Sequence, residues 1–132
     1  MYNQMNTRSA LNAYRQVSVQ GEVQEADPHR LIQMLFDGAL ERIATARICM
    51  QQGATADKGE RISRAIEIIE GLRATLDRER GGPIADNLDG LYSYMTRRLL
   101  EANLHNDVER LDEVSGLLKE IKSGWDAVRP AG

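Results

Sequence analysis

The sequence predicts an all-α protein, an antiparallel four-helix bundle with a short, mobile N-terminal helix or arm. Apolar residues recur at steps of three and four along four long segments, which is the spacing of amphipathic helices. Short polar stretches separate these segments, while β-branched and aromatic residues never alternate with polar ones for long, as strands would require. Helices of roughly 20 to 25 residues that are joined by short loops pack as antiparallel neighbours.

The chain length favours one domain, because 132 residues are enough to bury a single core without disulfides or metals. We divide the chain into a flexible N-terminal arm with a short amphipathic helix (residues 1–26), a helical bundle (27–129) and a tail (130–132). The apolar residues of the arm fall at helical spacing: Leu11, Tyr14 and Val17.

The first long helix is predicted from Pro28 to about Gln52. Asp27 accepts a hydrogen bond from the first free amides, Pro28 occupies a position where no amide is needed, and Gly53 supplies the stop. Its apolar surface is wider than one core face requires. A core stripe comprises Leu31, Leu35, Ala39, Ile43, Ala46 and Met50, beside a ridge of Ile32, Phe36 and Leu40.

The second helix is predicted from about Asp57, as its cap, to about Arg80, where Gly81-Gly82-Pro83 ends it. Its apolar residues keep steps of three and four: Ile62, Ala65, Ile66, Ile69, Leu72 and Leu76.

The third helix is predicted from Asp86 or Asn87 to about His105, and the fourth begins after the cap Asp107. The third carries a stripe of Leu88, Leu91, Tyr92, Met95, Leu99 and Ala102, with Tyr94, Leu100 and Leu104 off that line. The fourth carries a coiled-coil-like seam of Leu111, Val114, Leu118, Ile121, Trp125 and Val128.

Composition excludes several function classes. The net charge of −3 and the pI of about 5.4 offer no positive field for nucleic acid. No apolar run approaches the roughly 20 residues that cross a bilayer, so we expect no membrane insertion. The N-terminus lacks the pattern of a secretory signal, and the single cysteine, Cys49, fits a reducing compartment. The expected location is the cytosol.

The sequence also lacks the motifs of catalysis. A di-iron bundle needs Glu-x-x-His, whereas Glu25–His29 and Glu101–His105 are spaced at four, and no further histidine exists. We interpret both histidines as surface or capping residues. There is no Gly-x-Ser-x-Gly and no phosphate-binding loop. We therefore expect no enzyme activity, no metal and no cofactor.

What remains is apolar surface in excess on the first and third helices. It is either additional core or a groove that receives amphipathic helices from a partner, and its presence on two helices favours the groove. The arm would then be a displaceable lid. In the alternative interpretation the chain is a self-associating helical structural or adaptor protein, and the same ridge is a homodimer face.

Three stretches resemble the FliS family: NAYRQV, ADPHRLIQMLFDGALERIATA, and NLDGLYSYMTRRLLEAN leading to LDEVSGLLKEIKSGWDAV. The matched positions are Tyr14, Asp27-Pro28-His29, Leu31-Ile32, Leu35-Phe36-Asp37-Gly38-Ala39, Leu91, Tyr92, Tyr94, Met95, Leu99, Ala102-Asn103 and Trp125. Phe36 departs from the family, which often carries Tyr there, but the ring is kept.

The resemblance implies a cytosolic chaperone for flagellar export. Its partner would be the disordered C-terminal region of flagellin, which it would keep from premature polymerisation and hand to the export gate of the flagellar type III secretion system. The residues that the resemblance implies for partner binding are Tyr14 in the arm and, as groove candidates, Ile32, Phe36, Leu91, Tyr94 and Met95.

Overall fold

The computed structural model describes residues 27–128 and confirms the predicted bundle. The four helices are α1 (Pro28–Gln51), α2 (Thr55–Ala74), α3 (Arg78–His105) and α4 (Val108–Ala127). Helix contacts run in a ring, with α1 on α2, α2 on α3, α3 on α4 and α4 on α1. The predicted N-terminal arm, with Leu11, Tyr14 and Val17, lies outside the described residues, as does the tail. None of the described helices is long and apolar enough to cross a membrane.

The core runs along the centre of the ring and takes side chains from all four helices. The predicted stripe of α1 is buried, except that Met50 is only partly so. Phe36, which we expected on the adjacent ridge, is 1% exposed and is the largest fully buried side chain described. Ile32 and Leu40 of the same ridge are partly buried. The wide apolar surface of α1 is therefore core in part, and only in part available to a partner.

Two of the three predicted helix caps are confirmed. Asp27 accepts a hydrogen bond from the amide of Arg30 at 2.7 Å, and the Asp107 carboxylate accepts from the first amides of α4. The prediction for Asp57 was wrong. It lies in the first turn of α2, whose N-cap is Ala54, and the methyl side chain of Ala54 makes no cap hydrogen bond. In that position Asp57 places a negative charge at the positive end of the helix dipole.

The junction between α2 and α3 also differs from the prediction. Helix α2 ends at Ala74 instead of Arg80, and Asp77 caps the start of α3 by accepting from the Arg80 amide at 3.3 Å. The glycine pair does interrupt a helix, but inside α3, where Gly82 has φ 50° and ψ −128°. Pro83 follows it and restarts the helix with a residue that needs no amide partner. The result is a short first turn of α3, a kink, and then the long part of the helix.

This kink predicts opposite effects for the same substitution at two glycines of α3. At Gly82 an added Cβ meets no atom within 4 Å, but the positive φ strains any L-residue, so Gly82→Ala should lower the free energy of unfolding by about 1–3 kcal/mol. Gly90 is helical and exposed, and a Cβ added there also meets no atom within 4 Å. Gly90→Ala should therefore raise the free energy of unfolding by about 0.5–1 kcal/mol. Urea unfolding followed by circular dichroism measures both. Equal shifts of the same sign would contradict the conformation of Gly82.

A buried lysine joins the start of α2 to the end of α3. Lys58 is 4% exposed, and its Nζ donates to the backbone oxygen of Asn103 at 3.0 Å and to Oδ1 of Asn106. Asn106 ends α3 in the left-handed conformation, with φ 51°. No carboxylate among residues 27–128 forms an ion pair with Lys58. Its charge is balanced instead by the negative end of the α3 dipole and by these two oxygens.

Candidate partner-binding groove

An apolar groove of about 500 Å³ opens at one end of the bundle. In an antiparallel bundle this end holds the starts of α1 and α3 and the ends of α2 and α4. The apolar side chains that line the groove are Ile32 and Phe36 from α1, Ile84, Ala85, Leu88 and Tyr92 from α3, Ile121, Trp125 and Val128 around the end of α4, and Leu76 from the α2–α3 connection.

The groove has a closed floor and an open rim. Phe36 and Tyr92, the lining residues furthest along α1 and α3, are 1% and 3% exposed. Ile84 and Val128, nearer the end of the bundle, are 71% and 53% exposed. Large apolar side chains that are exposed to solvent beside a concave apolar surface are typical of a binding site.

A reciprocal contact holds the wall of the groove in place. The indole Nε1 of Trp125 donates to the backbone oxygen of His29, and Nε2 of His29 donates to the backbone oxygen of Trp125, each at 3.0 Å. The two rings stack with centroids 4.8 Å apart and planes 19° apart. His29 is thus half-buried and joins the start of α1 to the end of α4, a role that the interpretation as a surface or capping residue did not include. His105 is exposed, as expected.

The predicted partner-binding residues do not lie together. Ile32 and Phe36 line the groove, and Tyr14 lies outside the described residues. Leu91 is partly buried against the core, and Met95 is 0% exposed within it; neither lines the groove. For all of the predicted residues, contact with a partner stays a prediction. The position of Ile32 and Phe36 in the groove supports that prediction for these two.

Tyr94 lies between α3 and α4, away from the groove. Its hydroxyl donates to Glu113 at 2.6 Å, and Arg98 donates to the same carboxylate at 2.8 Å while its guanidinium carbon lies 5.8 Å from the centre of the Tyr94 ring. The hydrogen bond to Glu113 raises the pKa of Tyr94, and the hydrogen bonds from Tyr94 and Arg98 lower the pKa of Glu113. These contacts give Tyr94 a role in joining two helices.

Leu88 and Tyr92 belong to the core, as the predicted stripe of the third helix has them, and they also line the groove. Ile84 precedes Asp86, the earliest predicted start of that helix, and was not recognised as a groove residue. The signal available for Ile84 was Pro83, because proline is favoured in the first turn of a helix and so places Ile84 inside the helix that follows the kink. Leu100 and Leu104 are 55% and 77% exposed, in keeping with their place off the core line, yet they do not line the groove.

The described residues contain no cluster of three or more His, Cys, Asp or Glu side chains that would hold a metal ion. The charged side chains that line the groove are at its edge. Asp77 and Arg80 form an ion pair at 3.6 Å, and the Arg80 side chain is 84% exposed. A polar edge around an apolar centre is the usual composition of a protein-binding surface.

Fold and groove together define a small helical-bundle protein with an open apolar surface of the kind that receives amphipathic helices. A family model described as flagellar protein FliS matches residues 10–132. The chain belongs to the FliS family, and its function at that level is that of a flagellar export chaperone.

Similar proteins of known name support this assignment. The chain is 54% identical to the flagellar secretion chaperone FliSB of Pseudomonas aeruginosa, over 94% of this chain and 98% of the relative. It is 52% identical to the flagellar secretion chaperone FliS of Salmonella typhimurium, over 96% of this chain and 94% of the relative. It is 43% identical to the flagellar secretion chaperone FliS of Escherichia coli, over 92% of this chain and 90% of the relative. The resemblance found in the sequence is confirmed.

Proposed function

We propose that this chain binds the disordered C-terminal region of flagellin in the cytosol, prevents its premature polymerisation and supports its delivery to the flagellar type III secretion system. One observation carries the proposal: a chain of this chaperone family has an open apolar groove whose rim residues are exposed. The function requires binding and release, with no chemical step.

The shape of the groove supports an amphipathic helix as its occupant. Ile32 and Phe36 are four residues apart on α1, and Ile84, Leu88 and Tyr92 repeat that spacing on α3, so two rows of apolar side chains border the groove. A helix with its own apolar stripe fits between such rows. Because the flagellin segment would have to order as it docks, part of the gain from apolar burial is offset, which makes binding reversible.

We further propose that residues 1–26, with Tyr14, act as a displaceable lid on this groove. The attachment point supports this idea, because Asp27 immediately precedes α1 and Ile32, one turn into that helix, lines the groove. A partner segment would then have to displace the arm, which would lower affinity but keep the apolar surface covered between partners.

Mixing the chain with a synthetic flagellin C-terminal segment tests the proposal. We expect the two to co-elute in size-exclusion chromatography, and the circular dichroism of the mixture to show more helix than the sum of its parts. A segment of the same composition in shuffled order is the control, because it keeps apolar content but loses the helical stripe. Failure of the native segment to bind, or equal binding of the shuffled one, would contradict the proposal.

Self-association is the second candidate function, and the exposed Leu100 and Leu104 on α3 are the observation that favours it. Light scattering separates the two candidates. A dimer that persists on dilution and ignores the flagellin segment supports self-association, whereas a monomer that binds the segment supports the chaperone.

A further inference from the structure

The floor of the groove contains one polar group without a partner among the described residues. Tyr92 is 3% exposed, and its hydroxyl makes no hydrogen bond with any residue of the described part of the chain. The oxygen is not among the unpaired atoms sealed from solvent, and Tyr92 is one of the residues that line the groove. Burial raises the pKa of Tyr92, which keeps the hydroxyl protonated and able to donate.

The other polar side chains of the lining are already satisfied. Thr75 donates from its hydroxyl to the backbone oxygen of Leu72 at 2.6 Å. Asp77 accepts from the Arg80 amide and pairs with the Arg80 guanidinium, at the edge of the groove. The Tyr92 hydroxyl is therefore the polar group of this lining that an occupant would have to accommodate.

Docking of a purely apolar helix would strip water from the Tyr92 hydroxyl and leave it unpaired. A buried hydroxyl without a hydrogen bond costs the complex about fivefold to a hundredfold in affinity, while a polar side chain placed opposite it restores the bond. The surroundings of the hydroxyl also limit the kind of polar group. Phe36, on the floor beside the buried end of the groove, carries no charge, and the charged pair Asp77–Arg80 is at the edge. A carboxylate or ammonium group at the floor would therefore lose its hydration without compensation.

We propose that Tyr92 determines the specificity of the groove by selecting a docking helix whose apolar stripe is interrupted by one uncharged polar side chain, a serine, threonine, asparagine or glutamine, that pairs with the Tyr92 hydroxyl. The occupant is a helix of the flagellin C-terminal region, so the inference rests on the proposed function. A site that hydrogen-bonds a buried polar group rejects the analogue that lacks it more strongly than an apolar pocket discriminates by size.

A double-mutant cycle tests this role. Tyr92→Phe keeps the ring that fills the core and removes only the oxygen, and urea unfolding checks that the bundle remains folded. On the partner side, each serine, threonine, asparagine and glutamine of the flagellin C-terminal segment is replaced singly by an apolar residue of similar size. Isothermal titration calorimetry gives the affinity of every pair.

We expect one of these replacements to weaken binding to the unchanged chain by about fivefold to thirtyfold, and to change binding to the Tyr92→Phe chain by less than about twofold. All other replacements should act equally on both chains. If binding is firm but every replacement has the same effect on both chains, Tyr92 does not determine specificity. If neither chain binds the unchanged segment, the proposed function itself is wrong, and the two failures are thereby distinguished.

Discussion

Replacing Ile84 by glutamate should lower the affinity for the flagellin C-terminal segment by about tenfold to a hundredfold and leave folding intact. Ile84 is 71% exposed on the rim of the groove, so the free energy of unfolding should change by less than about 0.5 kcal/mol. In the complex the side chain would be covered. The substitution would then forfeit the burial of one large apolar side chain, about 1.5–3 kcal/mol, and would bring a carboxylate into an apolar contact.

Leu104→Glu provides the matched control for this prediction. Leu104 is on the same helix and is 77% exposed, but it does not line the groove. The substitution therefore introduces the same charge in the same helix and should leave affinity within about twofold. Fluorescence anisotropy with a labelled segment measures both variants. Equal losses of affinity would indicate a nonspecific effect of charge, and a loss for Leu104→Glu alone would place the binding surface elsewhere on α3.

Replacing Lys58 by methionine should lower the free energy of unfolding by about 2–4 kcal/mol. The change removes two hydrogen bonds from a charged donor and leaves the backbone oxygen of Asn103 and the side-chain oxygen of Asn106 without their donor. It also removes the positive charge that lies at the negative end of the α3 dipole. Methionine keeps most of the length of the buried stem, so little cavity is created. Urea unfolding at fixed pH gives the value.

Two further variants separate this contact from a general loss of charge. Lys119→Met removes an exposed lysine of α4 and should change the free energy of unfolding by less than about 0.5 kcal/mol. Asn106→Gly keeps a residue that tolerates φ 51° but removes one acceptor, so its effect should be smaller in the Lys58→Met background than alone. Additive effects of the two substitutions would show that Lys58 and Asn106 do not act together.

Local sequence signals predicted those parts of the fold that depend on adjacent residues. The start of α1 follows from Asp27 and Pro28, which act on amides within one turn. The start of α4 follows from Asp107 in the same way, and its seam faces the other helices from Leu111 to Trp125. Val128, which we predicted as the last residue of the seam, lies beyond the end of the helix and is 53% exposed. The α2–α3 boundary was missed because Leu76 continues the helical spacing beyond the residue where the helix ends.

The full set of residues that line the groove could not be predicted, for a different physical reason. Apolar spacing shows which side of a helix is buried, but it does not distinguish burial against the bundle from burial against a partner. Phe36 and Ile84 illustrate this, since one is 1% and the other 71% exposed although both line the same groove. The free hydroxyl of Tyr92 is likewise a property of neighbours in space. Sequence predicted that a groove exists, and the structure defines its residues.

The most direct measurement of where the partner docks is an NMR titration of the chain, labelled at its isoleucine methyl groups, with the flagellin C-terminal segment. Ile32, Ile84 and Ile121 line the groove, whereas Ile48 of α1 is 51% exposed outside it and serves as an internal control. We expect the methyl resonances of the three groove isoleucines to shift on binding and that of Ile48 to stay in place. A shift at Ile48 with the groove resonances unchanged would contradict the account.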